Sequence, residues 1–210
     1  FYYAVFIPLI KIFSNTVMAV IIVQCVLSAL TVYISANSAK NLAGRKAGII
    51  TAFLTAFSTM LVFYVPYHLI ETLQAFWLSL ILLFAIEIIR TGKWYYWLLA
   101  GFTFSFSILT RGNILILLLP VFFILLFSLF MNKGKVLLRI SLPFIFLACV
   151  TLPQTPFSLR NSQIANEFRG PSTAGGAVLA LGNTPEAPPG GRNPDYGPGP
   201  MEYPECYHFW

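Results

Sequence analysis

The sequence predicts an all-α protein, a polytopic transmembrane helix bundle with about six spans, followed by a Gly/Pro-rich extracytoplasmic loop region. Three observations predict it. The 210 residues are 58% hydrophobic and only 10% charged, against roughly 25% charged in an average globular chain. Six apolar stretches of about membrane-crossing length follow one another. The basic residues collect in alternate connections between those stretches. The same composition excludes a water-soluble domain, a disordered chain and, with three cysteines, a disulfide framework. No basic stripe interleaved with aromatics appears, so nucleic acid is not an expected partner. The chain opens on Phe1 and stops at Trp210 within an aromatic-rich stretch, and it reads as a fragment of a longer protein.

Residues 1–16 form an outer juxtamembrane segment, and residues 17–157 hold the bundle, with spans near 17–38, 47–67, 72–89, 94–110, 114–131 and 136–153. At 1.5 Å per residue, about 20 residues cross a hydrocarbon core of ~30 Å. The fourth span is short, and its opening Trp94, Tyr95, Tyr96 and Trp97 suit a membrane interface. Lys40, Arg45 and Lys46 fall between the first two spans, Arg90 and Lys93 between the third and fourth, and Lys133, Lys135 and Arg139 between the last two. The positive-inside rule makes that face cytoplasmic. Of the ten basic residues in 1–157, only Lys11 and Arg111 fall on the opposite face. Residues 1–157 carry a net charge of +8 and residues 158–210 a net of −2. Eight of the 14 glycines and eight of the 14 prolines lie in that second segment, which therefore reads as loop. Within it, residues 175–183 read as a short extended stretch bounded by turns.

Few polar residues mark the outer face, where ionisable groups near membrane depth are costly without a task. Glu71 opens the third span. It either complements the positive end of the helix macrodipole by ~0.3–1 kcal/mol, or it is an acid at the mouth of a cavity. His68 beside it is either an interfacial histidine or a supporting partner. Arg111, Gly112 and Asn113 make the whole connection between spans four and five. That guanidinium either snorkels to lipid or grips a phosphate bidentately. Arg160 and Asn161 follow Pro153 and Pro156, which end span six. The stretch from Phe157 to Phe168 suits a short interfacial helix, and Arg160 carries the same two readings as Arg111. Glu202, Glu205, Cys206 and His208 fit no standard zinc spacing and read as a solvated loop. Cys25 and Cys149 read as small core residues, and Glu87 with Arg90 as an i,i+3 pair. No nucleotide-binding glycine loop and no Ser/His/Asp ordering is present.

The order of these features resembles the polytopic C-type-fold glycosyltransferases that use lipid-phosphate sugars, in particular the protein mannosyltransferase and aminoarabinose-transferase group. Phe1-Tyr2-Tyr3 through Pro8-Leu9 and Phe13 is similar to the run after that family's first outer loop. Asn41 to Gly48 resembles the basic turn between the next two spans. Ile70-Glu71-Thr72-Leu73 resembles the acidic opening of the following span. Gly101 through Leu109-Thr110-Arg111-Gly112 resembles a glycine-bearing span ending in Thr-Lys/Arg-Gly. Pro153 to Arg160-Asn161, with Gly175-Gly176 and Gly182-Asn183-Thr184-Pro185, resembles the proline-rich exit and glycine-asparagine loop of bacterial members.

The resemblance implies transfer of a sugar from a polyprenyl-phosphate carrier to a lipid, glycan or protein acceptor, with inversion at the anomeric carbon. It places the active face outside, in a multi-pass protein of the bacterial inner membrane. It implies a carboxylate base in a first outer loop, expected upstream of Phe1, so this piece alone is expected to be inactive. A divalent metal ion or cationic side chains would stabilise the leaving phosphate. Glu71 would be a second acid of the site. Arg111, Arg160, Asn161, Asn183 and His68 would bind substrate. The alternatives are a transporter or flippase of lipid-linked sugars and a non-catalytic polytopic protein. A transporter would show spans broken at mid-membrane, whereas Pro66, Pro120, Pro143 and Pro153 lie mostly toward predicted span ends.

Overall fold

A backbone in hydrocarbon must satisfy its hydrogen bonds internally, and only helices and closed barrels do so. The computed structural model describes residues 5–13, 17–67, 70–131 and 136–171, and among the described residues there is no strand. They form α1 (Ile7–Phe13), α2 (Val17–Ala56), α3 (Thr59–Tyr64), α4 (Glu71–Thr91), α5 (Trp94–Thr110), α6 (Leu115–Met131), α7 (Val136–Thr151) and α8 (Thr155–Ala165). Three helical runs, Val17–Ala56, Glu71–Thr91 and Ser141–Ala165, are long and apolar enough to cross a membrane by length and composition. The protein is thus an all-helical membrane bundle. The chain divides into two compact units, Phe1–Pro153 and Gln154–Trp210.

In the first unit, α2 is two limbs joined at Gly44, whose backbone (φ 87, ψ 178) is not helical. That conformation is essentially open to glycine alone. The chain turns back on itself there. A Cβ on Gly48 would stand 2.8 Å from the Lys40 Cβ and 2.9 Å from the Ala36 carbonyl oxygen. The basic turn expected over Asn41–Gly48 is this hairpin.

The span expected over 47–67 is interrupted. The helix stops at Ala56, and Ser58 (φ −66, ψ 108) begins α3 as an extended N-cap residue. Ser58 makes no side-chain cap bond there, and Val65, before Pro66, stays in the right-handed helical region (φ −59, ψ −45), so neither residue by itself accounts for the short helix.

α4 ends on Gly92, a left-handed C-cap (φ 64) whose N–H donates to the Ile88 carbonyl at 2.9 Å. Lys93 then leads directly into α5, so α4 and α5 are packed antiparallel neighbours. The Glu87–Arg90 pair closes at 2.8 Å, as its spacing predicts. The Asn41 amide also donates to Glu87 Oε1 at 2.7 Å and ties α2 to α4.

Lipid gives helices no hydrophobic reason to associate, so close packing of small residues and polar bonds must do it. Gly101 on α5 meets this need. A Cβ there would lie 2.6 Å from the Cys149 Cβ and 2.8 Å from the Phe146 carbonyl oxygen of α7. Around that approach Trp97 and Phe104 pack edge-on against Phe146, with ring centroids 6.4 and 6.2 Å apart. Elsewhere large apolar side chains point outward, among them Ile22, Val26 and Phe123, as a lipid-facing surface requires.

Cys149 is buried as expected, but Cys25 is exposed. The packed stripe of α2 runs through Val20, Gln24, Thr31, Ile34 and Ser38, and Cys25 falls beside it rather than on it. Pro143 also departs from expectation. It lies in the middle of α7, and the helix continues through it, as neighbouring helices permit in membranes.

Leu152–Gln154 form a 3₁₀ turn at the boundary between the two units. Pro156 lies in the first turn of α8, where its missing N–H costs nothing. The short helix expected over Phe157–Phe168 is α8, and it stops earlier, at Asn166 in the left-handed region (φ 54).

Candidate active site at one end of the bundle

Glu71 is the first residue of α4, and Ile70 before it offers no side-chain cap. Glu71 therefore stands in the first turn of α4, at the positive end of the helix macrodipole. Because α5 returns antiparallel, its last residue, Thr110, arrives beside that same end. Arg111 leaves the helix in an extended conformation (φ −150, ψ 112). Its own N–H still bonds to the Ser107 carbonyl at 2.9 Å, and a 3₁₀ turn over Gly112–Ile114 starts the return into α6. The connection is as short as the sequence implies.

Glu71 and Arg111 meet there. Arg111 Nη1 lies 3.5 Å from Glu71 Oε1, with 48% and 30% of the two side chains exposed. A pair this long and this wet contributes under ~1 kcal/mol, so it does not account for the site by stability. It also leaves most of the guanidinium donors uncommitted.

Just below lies a set of polar groups that the sequence reading passed over. Gln74, one turn into α4, donates through Nε2 to the Ser107 hydroxyl of α5 at 2.7 Å, a buried bond between helices. Three buried atoms of the same turn of α4 have no hydrogen-bond partner: Glu71 Oε2, Thr72 Oγ1 and Gln74 Oε1. The Ser105 hydroxyl on α5 is also buried without one. Each such group costs about 1–3 kcal/mol when left unpaired. Gln24 on α2 is fully buried. The limb before Gly44 runs alongside α4, with Asn41 level with Glu87, and this puts Gln24 toward the Glu71 end as well. The signal for these residues was present as Gln, Ser and Thr inside apolar runs. It was weak because any one of them also suits ordinary interhelical packing.

Of the other expected residues, Arg160 and Asn161 belong to the second unit. Arg160 is exposed on α8. Asn161 is engaged locally, its amide donating to the Gly170 carbonyl at 2.9 Å. Beside it the Ser162 hydroxyl accepts from the Arg169 N–H at 2.8 Å, and Arg169 pairs with Glu167. His68, Asn183, the 175–183 stretch and the Glu202–His208 group lie outside the described residues.

Among the described residues no three His, Cys, Asp or Glu side chains gather to hold a metal ion. The carboxylate of the site faces a guanidinium, which repels a dication.

Residues 3–157 match the model of the dolichyl-phosphate-mannose-protein mannosyltransferase family. Neither the curated proteins nor the solved structures gave a match. The match covers well over half of the chain, including the hairpin at Gly44 and both partners of the Glu71–Arg111 pair. The chain therefore belongs to the dolichyl-phosphate-mannose-protein mannosyltransferase family, membrane glycosyltransferases that use lipid-linked sugar donors.

Proposed function

We propose that this protein moves a sugar from a polyprenyl-phosphate carrier to a lipid, glycan or protein acceptor at the end of the bundle that carries Glu71 and Arg111. We assign that end to the extracytoplasmic face of a bacterial inner membrane. The observation that carries the reading is the set of partnerless buried oxygens in the first turn of α4, Glu71 Oε2, Thr72 Oγ1 and Gln74 Oε1, at the helix end where Glu71 pairs with a guanidinium that keeps free donors. Sugar hydroxyls donate to the first set, and phosphate oxygens accept from the second. A donor that is both sugar and phosphate satisfies both. The sidedness rests on the eight-to-two division of basic residues between the two faces of the first 157 residues.

In the reaction an acceptor hydroxyl or phosphate attacks the anomeric carbon, and the bond from that carbon to the carrier phosphate breaks. The phosphate leaves with the electron pair. Arg111 meets the charge that develops there, which is where fixed donors lower a barrier most. By the family resemblance the attacking group loses its proton to a carboxylate of the first outer loop. Glu71 then serves as the second acid, holding Arg111 and accepting from the sugar. By the family resemblance, Arg160, Asn161, His68 and Asn183 would also bind substrate.

Reconstitution of the full protein in liposomes with a radiolabelled polyprenyl-phosphate sugar tests this. The label should leave the carrier and appear on acceptor. Glu71→Gln should cut that transfer at least tenfold, about 1.4 kcal/mol in the barrier, at matched expression. Donor recovered chemically intact on the opposite leaflet would instead identify a flippase. Unchanged transfer in Glu71→Gln would return this carboxylate to a helix-terminal role.

A further inference from the structure

The Gly44 hairpin carries a second feature, far from the pair at Glu71. Asn41 at the hairpin bonds Glu87, and Glu87 lies about 24 Å along α4 from Glu71 at 1.5 Å per residue. Between the two limbs of α2 is a groove of about 340 Å³, with Tyr33, Asn37 and Lys40 on one wall and Arg45, Ile49 and Ala52 on the other. Gly48 lines it where the limbs close on Lys40 and Ala36. The volume falls at the small end of the range usual for ligand sites, roughly 300–1,000 Å³.

The groove is chemically two-ended. Lys40 and Arg45 flank the turn, while Tyr33 and Ala52 each lie seven residues away along their limbs, about 10 Å of helix. Neither cation has a hydrogen bond or an ion pair among the described residues. Among the described residues the one acid at this end, Glu87, is already engaged by Asn41 and Arg90, so it leaves the charge of Lys40 and Arg45 uncancelled. Beside the apolar end of the groove, Ile49, Ile50, Phe53 and Leu54 are exposed, as side chains that face acyl chains are. A small soluble anion would satisfy the cations and leave the apolar end empty.

We propose that this groove binds an anionic membrane phospholipid. Its phosphate sits between Lys40 and Arg45, its glycerol region meets the Asn37 amide, and an acyl chain runs past Ile49 to Ala52. The guanidinium offers a bidentate fork to the phosphate and the ammonium a point charge. Basic groups at a membrane surface favour anionic over zwitterionic headgroups in this way.

The test uses the full protein in neutral detergent and native mass spectrometry, with phosphatidylglycerol and phosphatidylcholine as probes. The wild type should retain phosphatidylglycerol at least about fivefold over phosphatidylcholine, the discrimination expected from one or two headgroup contacts. Lys40→Gln combined with Arg45→Gln should abolish the preference. Ala52→Phe, which fills the acyl end and keeps both cations, should also lose the lipid, whereas Lys46→Gln, outside the groove lining, should keep it. Inorganic phosphate in large excess should not displace the lipid. Equal retention of the two lipids, or wild-type binding in the double variant, overturns the proposal. So does wild-type binding in Ala52→Phe, which would mean attraction to surface charge alone. Complete displacement by inorganic phosphate would make it a free-anion site. If the double variant fails to fold, Ala52→Phe decides.

Discussion

Arg111 stands where α5 stops, extended and nearly half exposed, 3.5 Å from the one carboxylate at its end of the described bundle. That position separates two physical roles for a cation. An anchor needs only charge and length, and lysine supplies both. A phosphate grip needs a fork of parallel donors, which lysine lacks. Arg111→Lys should therefore raise the donor KM or lower kcat several-fold if the proposed role holds, while the protein level stays normal. Arg160→Lys, on an exposed stretch of α8, should behave likewise. The check is lipid-donor dependence of transfer in both variants. Wild-type kinetics in the lysine forms, with loss only in the alanine forms, would assign these residues to membrane depth.

At the scale of elements, two glycines determine how helices meet, for different reasons. Gly101 is a contact glycine. Its absent Cβ would fall 2.6 Å from the Cys149 Cβ and 2.8 Å from the Phe146 carbonyl, and neither atom can rotate away. Gly101→Ala should force α5 and α7 apart and destabilise the protein by about 1–3 kcal/mol, read as a lower Tm in detergent. Cys149→Ala should not rescue it, because the offending Cβ remains. Gly44 is a conformational glycine. Nothing lies within 4 Å of its missing Cβ, yet its φ of +87 excludes ordinary side chains. Gly44→Ala should also cost about 1–3 kcal/mol, from backbone strain alone. Gly112, equally open but without positive φ, is the control, and Gly112→Ala should melt like the wild type. If Gly44→Ala also melts like the wild type, the hairpin conformation at Gly44 is not required.

For the whole molecule, sidedness is the quantity that the basic residues imply. Single cysteines at Lys46 and Lys93 should be shielded from a membrane-impermeant thiol reagent in intact cells, and one at Asn113 should be labelled. All three positions are exposed, so access depends on the membrane and not on packing. Gly44 and Gly92 are poor sites for the label, because their positive φ values disfavour cysteine. Cys25, Cys149 and Cys206 should first be replaced by alanine. Labelling at Lys46 in intact cells would invert the arrangement and with it the face assigned to transfer.

Composition and charge spacing were enough to establish an all-helical membrane chain and the positions of its tight connections, because lipid imposes one backbone solution and apolar length translates directly into helix. The Glu87–Arg90 pair, the Arg111–Asn113 turn and the short helix after Pro156 are local, so neighbouring residues specify them. The resemblance to lipid-phosphate glycosyltransferases was readable for the same reason, as motifs in order along the chain. What depended on tertiary structure is what joins distant residues. The break at Phe57–Ser58, the exposure of Cys25 and the course of α7 through Pro143 follow from which faces find partners. The meeting of Glu71 with Arg111, the Gln74–Ser107 bond and the unpaired oxygens beside them follow from antiparallel packing of α4 on α5. A glutamine within an apolar run looks the same in sequence whether it only joins helices or also faces a ligand. Only its neighbours, and the oxygen they leave unpaired, distinguish the two.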